Sequence, residues 1–280
     1  MLIEIVKFLF LSGLIVLMSK YFLVTLLRKL GEVLNLKANT IGNVAGIATS
    51  VPELLTISIS SLSGFADASI FNVLSSNVIN FIQYIASIKM NNNGKEIKNK
   101  GILTDLVLVV ATIIIPLLLI YLNIEGNLIL VPIFILLMLG IYYISGNAHK
   151  LYLGKEEKEI SDEIEKEKKW ERGNKRKATK YTIYLIIVGI LLFAVGNALG
   201  NCLENLCIRF RIPQILIGIF LGFVTSIPEL ITFFESQKHH KNKEDTLLGV
   251  VEATNNLLTS NIMNLFVIQS IGIVLYGLFG

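Results

Sequence analysis

Apolar runs of twenty or so residues recur from one end of this 280-residue chain to the other. Each is long enough to cross a hydrocarbon core about 30 Å thick. A backbone in hydrocarbon must satisfy its own polar groups, and a helix does so within one segment. The chain therefore reads as an all-α polytopic membrane protein, built as one membrane domain rather than several soluble ones. Only 16% of its residues are charged, where a soluble domain carries about 25%. Its mean hydropathy is +0.67.

The runs resolve into about eight transmembrane helices, five before a charged stretch and three after it. They are expected at 3–30, 39–61, 69–88, 102–122, 128–144, 181–208, 213–235 and 247–275. The first is too long for a signal-peptide core and lacks an evident cleavage site, so it reads as a span. Lys20 interrupts it and is expected to snorkel or to pair within the bundle. The fourth and fifth read as plain apolar helices. In the sixth, Asn197, Asn201 and Asn205 share one face. They read as interhelical hydrogen-bonding residues, with the lining of an outer passage as the alternative.

Three regions follow: a first membrane half at 1–147, a charged loop at 148–180 and a second membrane half at 181–280. The loop mixes Lys, Glu and Arg, which suits a solvated helix or a linker. The net charge of +4 comes mostly from loops and calls for no nucleic-acid partner. Lys and Arg cluster in the links after spans 1, 3, 5 and 7. The links after 2 and 4 have none, and the one after 6 has only Arg209 and Arg211. The positive-inside rule then puts the N-terminus outside and the 148–180 loop in the cytoplasm. The two cysteines, Cys202 and Cys207, have no metal spacing and read as small apolar filler.

One stretch breaks the hydrocarbon rule. Gly46-Ile47-Ala48-Thr49-Ser50-Val51-Pro52-Glu53 places a carboxylate inside the second span. A charge at membrane depth costs about 2.5 kcal/mol or more. A second copy stands at Gly222-Phe223-Val224-Thr225-Ser226-Ile227-Pro228-Glu229. Aligning each residue n with n+176 gives nine identities over the sixteen positions 41–56. The following helices echo one another as well: Asn72, Ser76, Asn77 and Asn80 correspond to Asn256, Ser260, Asn261 and Asn264. Five helices separate the copies, so they start on opposite sides of the bilayer and the repeat is inverted. Inverted repeats with Gly/Pro-interrupted helices point to a midplane site and alternating access. Pro52 lacks a backbone donor, so its helix should kink near 48–50.

The donor set defines the chemistry. Glu53 and Glu229 are hard anionic groups; Thr49, Ser50, Thr225 and Ser226 bring hydroxyls; the proline breaks free backbone carbonyls. Ser76, Asn80, Ser260 and Asn264 add neutral oxygens one helix away. An all-oxygen set suits Ca2+, Na+ or Mg2+ and disfavours zinc or copper. Two carboxylates balance one divalent or two monovalent ions. Empty, they repel each other and tend to share a proton. A site that prefers to be filled, and opens to either side, is the basis of exchange. The chain offers no nucleophile with a base, no metal-hydrolase cluster and no phosphate-binding loop, so it is not read as an enzyme.

At these residues the sequence resembles the sodium/calcium exchanger family of the cation/calcium exchanger superfamily. The matching elements are the two Thr-Ser-x-Pro-Glu motifs and the two Asn-x-x-x-Ser-Asn patches. The resemblance implies an inverted-repeat exchanger bundle that moves Ca2+ against Na+, with no cofactor beyond the transported ions. It implies Glu53 and Glu229 as central ligands shared by both ions and backbone carbonyls from Thr49 and Thr225. Hydroxyls of Ser50 and Ser226 would reach flanking sodium ions, with Ser76, Ser260, Asn80 and Asn264 completing the sites. Gly46 and Gly222 stand where the family brings small-residue carbonyls to a sodium ion, and spans 1 and 6 would be the moving pair. Family members usually read Gly-Asn-x-x-Gly-Ser-Asn; Phe71 and Ser75, and Asn255 and Thr259, replace both glycines in both copies. That substitution is expected to change how closely the helices approach. Some members carry Asp at the Asn264 position, so two neutral Asn leave the stoichiometry open. Coupling to H+ and a non-transporting cation-binding homologue remain alternatives.

Members usually have ten helices, and the last two of the second half have no counterpart here. Either this is part of a longer chain, or a short member, or a partner or second chain supplies them. The expected setting is the lipid bilayer of the plasma membrane. His239 and His240 fall on the link between spans 7 and 8 and are expected to be solvated surface.

Overall fold

A computed structural model describes residues 2–34, 38–62, 64–152, 172–211, 213–241 and 246–279. Among them there are helices and short links and no strand. The first rod is α1 (Leu2–Met18), a π-helical turn (Ser19–Val24) and α2 (Thr25–Val33). Then come α3 (Ala38–Thr49), α4 (Val51–Leu62), α5 (Ala66–Met90), α6 (Lys100–Tyr121) and α7 (Leu130–Tyr152). The second half comprises α8 (Arg172–Phe210), α9 (Gln214–Thr225), α10 (Ile227–Lys241) and α11 (Thr246–Ile262). A second π turn (Met263–Ile268) leads into α12 (Gln269–Phe279). Six stretches are long and apolar enough to cross a membrane: Thr40–Leu62, Lys100–Tyr121, Leu130–Asn147, Arg176–Cys202, Gln214–His240 and Thr246–Phe279. The other two rods, 2–33 and α5, are of spanning length; α5 buries Ser69, Asn72, Ser75, Ser76, Asn77 and Asn80.

The halves interlock by exchange. α3 of the first half lies along α11 of the second, and α9 of the second lies along α5 of the first. Glycines set both crossings. A Cβ on Gly46 would stand 2.7 Å from the Asn256 carbonyl oxygen; one on Gly218 would stand 2.6 Å from that of Ala68. Small residues let backbones approach this way in membranes. The backbones approach closely across Asn255, Thr259, Phe71 and Ser75 because Gly42, Gly46, Gly218 and Gly222 on the facing helices, which meet them in that order, leave room.

Two apolar clusters flank this centre. One joins α5, α6, α7, α11 and the second π turn, through residues such as Tyr84, Phe134, Leu257 and Phe266. The other joins α1, α2, α8 and α9, through Ile15, Leu27, Leu192 and Leu221. Cys202 is buried but is not plain apolar filler: its Sγ donates to Glu4 O at 3.4 Å and to Glu4 Oε2 at 3.5 Å. Asn197, Asn201 and Asn205, by contrast, are exposed. Among the described residues they make no interhelical hydrogen bond.

Two further readings of the sequence need correction. The fourth span is not plain: Asp105 is wholly buried in α6, where it accepts a hydrogen bond of 2.8 Å from Ser145 Oγ of α7. His240 is not on a link. α10 runs on to Lys241, and His240 Nε2 lies 3.0 Å from the buried Glu252 carboxylate. The same carboxylate accepts from Ser236 Oγ at 2.5 Å. The helix persists because its first turn beyond the apolar run finds this acid on α11. Most of the charged loop, 153–171, and the side chain of Lys20 lie outside the described residues.

Candidate cation site

Each motif breaks its helix at one residue. Ser50 separates α3 from α4 and Ser226 separates α9 from α10. Pro52 and Pro228 are the second residues of α4 and α10, where a missing N–H costs nothing to the new helix but leaves the preceding one unfinished. The break falls where the sequence placed the kink, at the end of 48–50. Glu53 and Glu229 are then third in α4 and α10, at the positive ends of those helices. Both are 0% exposed.

Glu53 lies within electrostatic reach of Glu229. Thr225 lies beside Glu53 and Thr49 beside Glu229, so each motif's threonine approaches the other motif's acid. Both threonine hydroxyls donate within their own helices, to Ala45 O and Leu221 O at 2.9 Å. Ser260 joins the halves: its Oγ donates to Glu229 Oε1 at 2.9 Å and lies 3.0 Å from Ser50 Oγ. Asn80 Nδ2 approaches the same Ser260 hydroxyl at 3.4 Å. Ser50 donates to Gly46 O at 2.8 Å, and Ser76 reaches Gly222 O at 3.4 Å.

Around this centre, amide donors point outward. Asn72 Nδ2 bonds Thr56 Oγ1 at 2.9 Å, and Asn256 bonds Thr232 in the same way. Asn264 Nδ2 donates to Asn77 Oδ1 at 3.2 Å. What remains inside is almost all acceptor. Both Glu53 oxygens, Glu229 Oε2 and the Oδ1 atoms of Asn80, Asn256 and Asn264 are buried with no hydrogen-bond partner among the described residues; so is Ser226 Oγ. Buried acceptors without donors are costly, about 1–3 kcal/mol each and more when charged. Such a set calls for a donor or a cation, and the two carboxylates in it favour a cation.

The sequence matches the model of the sodium/calcium exchanger protein family over residues 5–146 and 180–279. This chain belongs to the sodium/calcium exchanger family. No curated protein matches it. Three solved structures of the sodium-calcium exchanger NCX_Mj share its fold. The one soaked with 10 mM Na+ and zero Ca2+ aligns with a TM-score of 0.58 at 20% identity, covering 98% of this chain and 84% of that one. The one soaked with 2.5 mM Na+ and 10 mM Sr2+ gives 0.55 at 19%, covering 98% and 83%. The protein is thus a helical, multi-pass membrane cation exchanger.

Hydrogen bonds link Ser50 and Asn80 to Ser260 and so to Glu229, and Ser76 to Gly222. Asn77 and Asn261 clasp each other's helices reciprocally, each Nδ2 reaching the other's carbonyl oxygen at 3.3 Å. Thr112 of α6 completes the clasp: its carbonyl accepts from Asn77 and its hydroxyl accepts from Asn261, both at 3.3 Å. That carbonyl is available because Pro116, four residues on, has no N–H to give it. A proline inside the fourth span was the visible signal. The π turn at Met263–Ile268 had none. It holds Asn264 in a widened turn of a kind common at functional sites.

Proposed function

We propose that the exchanger carries Ca2+ against Na+ by alternating access, with the ions bound between Glu53 and Glu229. The observation that carries this reading is that both Glu53 oxygens and Glu229 Oε2 are buried acceptors without donors among the described residues, as are Oδ1 of Asn80 and of Asn264. Two negative charges match one Ca2+ or two Na+, which is what competitive exchange requires. Ser50, Ser76, Asn80 and their counterparts Ser226, Ser260 and Asn264 supply further oxygens. Thr49, Thr225, Gly46 and Gly222 supply backbone carbonyls, once the hydroxyls of Ser50 and Ser76 release the glycine oxygens.

The separation of the apolar contacts into two clusters supports the movement. By the family resemblance the first rod (α1 and α2) and α8, which share one apolar cluster, are the pair that moves against the rest of the bundle. The halves at 1–147 and 181–280 act as the two repeats, and the 148–180 segment lies on the cytoplasmic side of the plasma membrane, with the N-terminus outside. Glu53→Gln or Glu229→Gln should abolish sodium-gradient-driven calcium uptake in proteoliposomes. Wild-type uptake in either variant would refute the assignment. Uptake driven by a pH gradient without sodium would instead assign the coupling to H+. Binding with no flux under any gradient would make the protein a cation-binding homologue.

A further inference from the structure

A second set of acceptors lies well away from the central pair. The link between α6 and α7 carries Glu125, and α12 opens with Gln269 directly after the π turn. Both side chains line a small cavity of about 10 Å3, whose other walls are apolar, among them Val73, Leu119 and Phe134. Gln269 also lines an adjoining cavity of about 20 Å3 with Ser61, Ser69, Gly126 and Gly272. Each has room for about one water-sized occupant. Gln269 is 5% exposed, and its Oε1 has no hydrogen-bond partner among the described residues; nor does the buried Oε2 of Glu125. In the second cavity Ser61 Oγ donates to Ser69 Oγ at 3.1 Å. Gly272 keeps that pair open: a Cβ there would stand 3.0 Å from Ser69 Oγ and 3.1 Å from Ser61 Oγ.

We infer that this crevice is a peripheral binding site for a monovalent cation, held by Glu125 Oε2 and Gln269 Oε1. The occupant is a donor or a cation, because Glu125 Oε2 and Gln269 Oε1 are buried acceptors without a donor among the described residues, and one belongs to a carboxylate. A single carboxylate balances a single positive charge. Ca2+ takes six to eight oxygens, more than one carboxylate, one amide and two hydroxyls provide. Na+ is therefore the fitting ion. The crevice shares two helices with the central site: Ser61 is eight residues beyond Glu53, about 12 Å along the rod, and Ser69 is three residues before Asn72. It sits on the face of the bundle that carries the 122–129 link. An ion held there is poised on the way to or from the central carboxylates.

The choice of Na+ rests on the exchanger reading; the crevice itself does not. Crystals of the full chain soaked in Tl+, a heavy monovalent stand-in, separate the two. Anomalous density between Glu125 and Gln269 is expected in the wild type and should vanish in Glu125→Gln. Density at Glu53 and Glu229 reports separately on the central site. Glu125 lies on a link, and Glu125→Gln keeps its shape, so the variant should fold. In proteoliposomes it should raise, several-fold, the Na+ concentration for half-maximal exchange when Na+ is applied to the 122–129 face, and not when it is applied to the other. Central density with none in the crevice, or an equal shift from both faces, would overturn the proposal.

Discussion

Ser260 is the residue on which the two halves of the centre meet. It donates to Glu229, touches Ser50 across the repeat and receives Asn80. Removing its hydroxyl leaves a second buried Glu229 oxygen without a donor. Ser260→Ala should therefore destabilise the ion-free protein by about 1–3 kcal/mol, measured as thermal unfolding in detergent. Saturating Ca2+ should restore part of the loss, because the ion takes the orphaned oxygen. No loss of stability would mean that water already satisfies Glu229. The residues that form this centre were mostly legible, since an acid in an apolar run needs a reason and two such acids in matching motifs share one. Asp105 and Glu252 are acids in apolar runs too. Neither sits in a repeated motif, so the sequence does not mark them out; neighbouring polar side chains hold both.

At the scale of the element, glycine placement governs the two crossings of α3 on α11 and α9 on α5. Gly46→Ala would press a methyl group against the Asn256 carbonyl and Thr259 Cβ, at 2.7 and 2.9 Å. Overpacking of this kind costs about 1–3 kcal/mol. Gly189→Ala in α8 meets nothing within 4 Å and should instead stabilise the helix by about 1 kcal/mol. Opposite shifts in unfolding temperature for this pair are the expected result; equal shifts would mean that the crossings are loosely packed. The rods themselves were legible from apolar length, and the breaks from Pro52 and Pro228. The π turns were not, because a widened turn leaves the apolar pattern unchanged. Helix ends were also hidden. α10 outlasts its apolar run because His240 finds Glu252 on another helix, a tertiary contact that no local pattern announces.

For the whole molecule, the inverted repeat predicts opposite sidedness for links that follow odd and even rods. In a background without Cys202 and Cys207, Lys95→Cys should react with an impermeant thiol reagent only from the cytoplasmic side. Asn127→Cys should react only from the other. Labelling of both from one side would break the inverted topology. Binding is the more direct test of what the molecule is for. A protein crystal containing Sr2+ as an electron-dense substitute for Ca2+ locates the ion itself. The account predicts one anomalous peak in contact with the carboxylates of both Glu53 and Glu229, absent from Glu53→Gln. A peak bound by only one of them, or none at that depth, would contradict it.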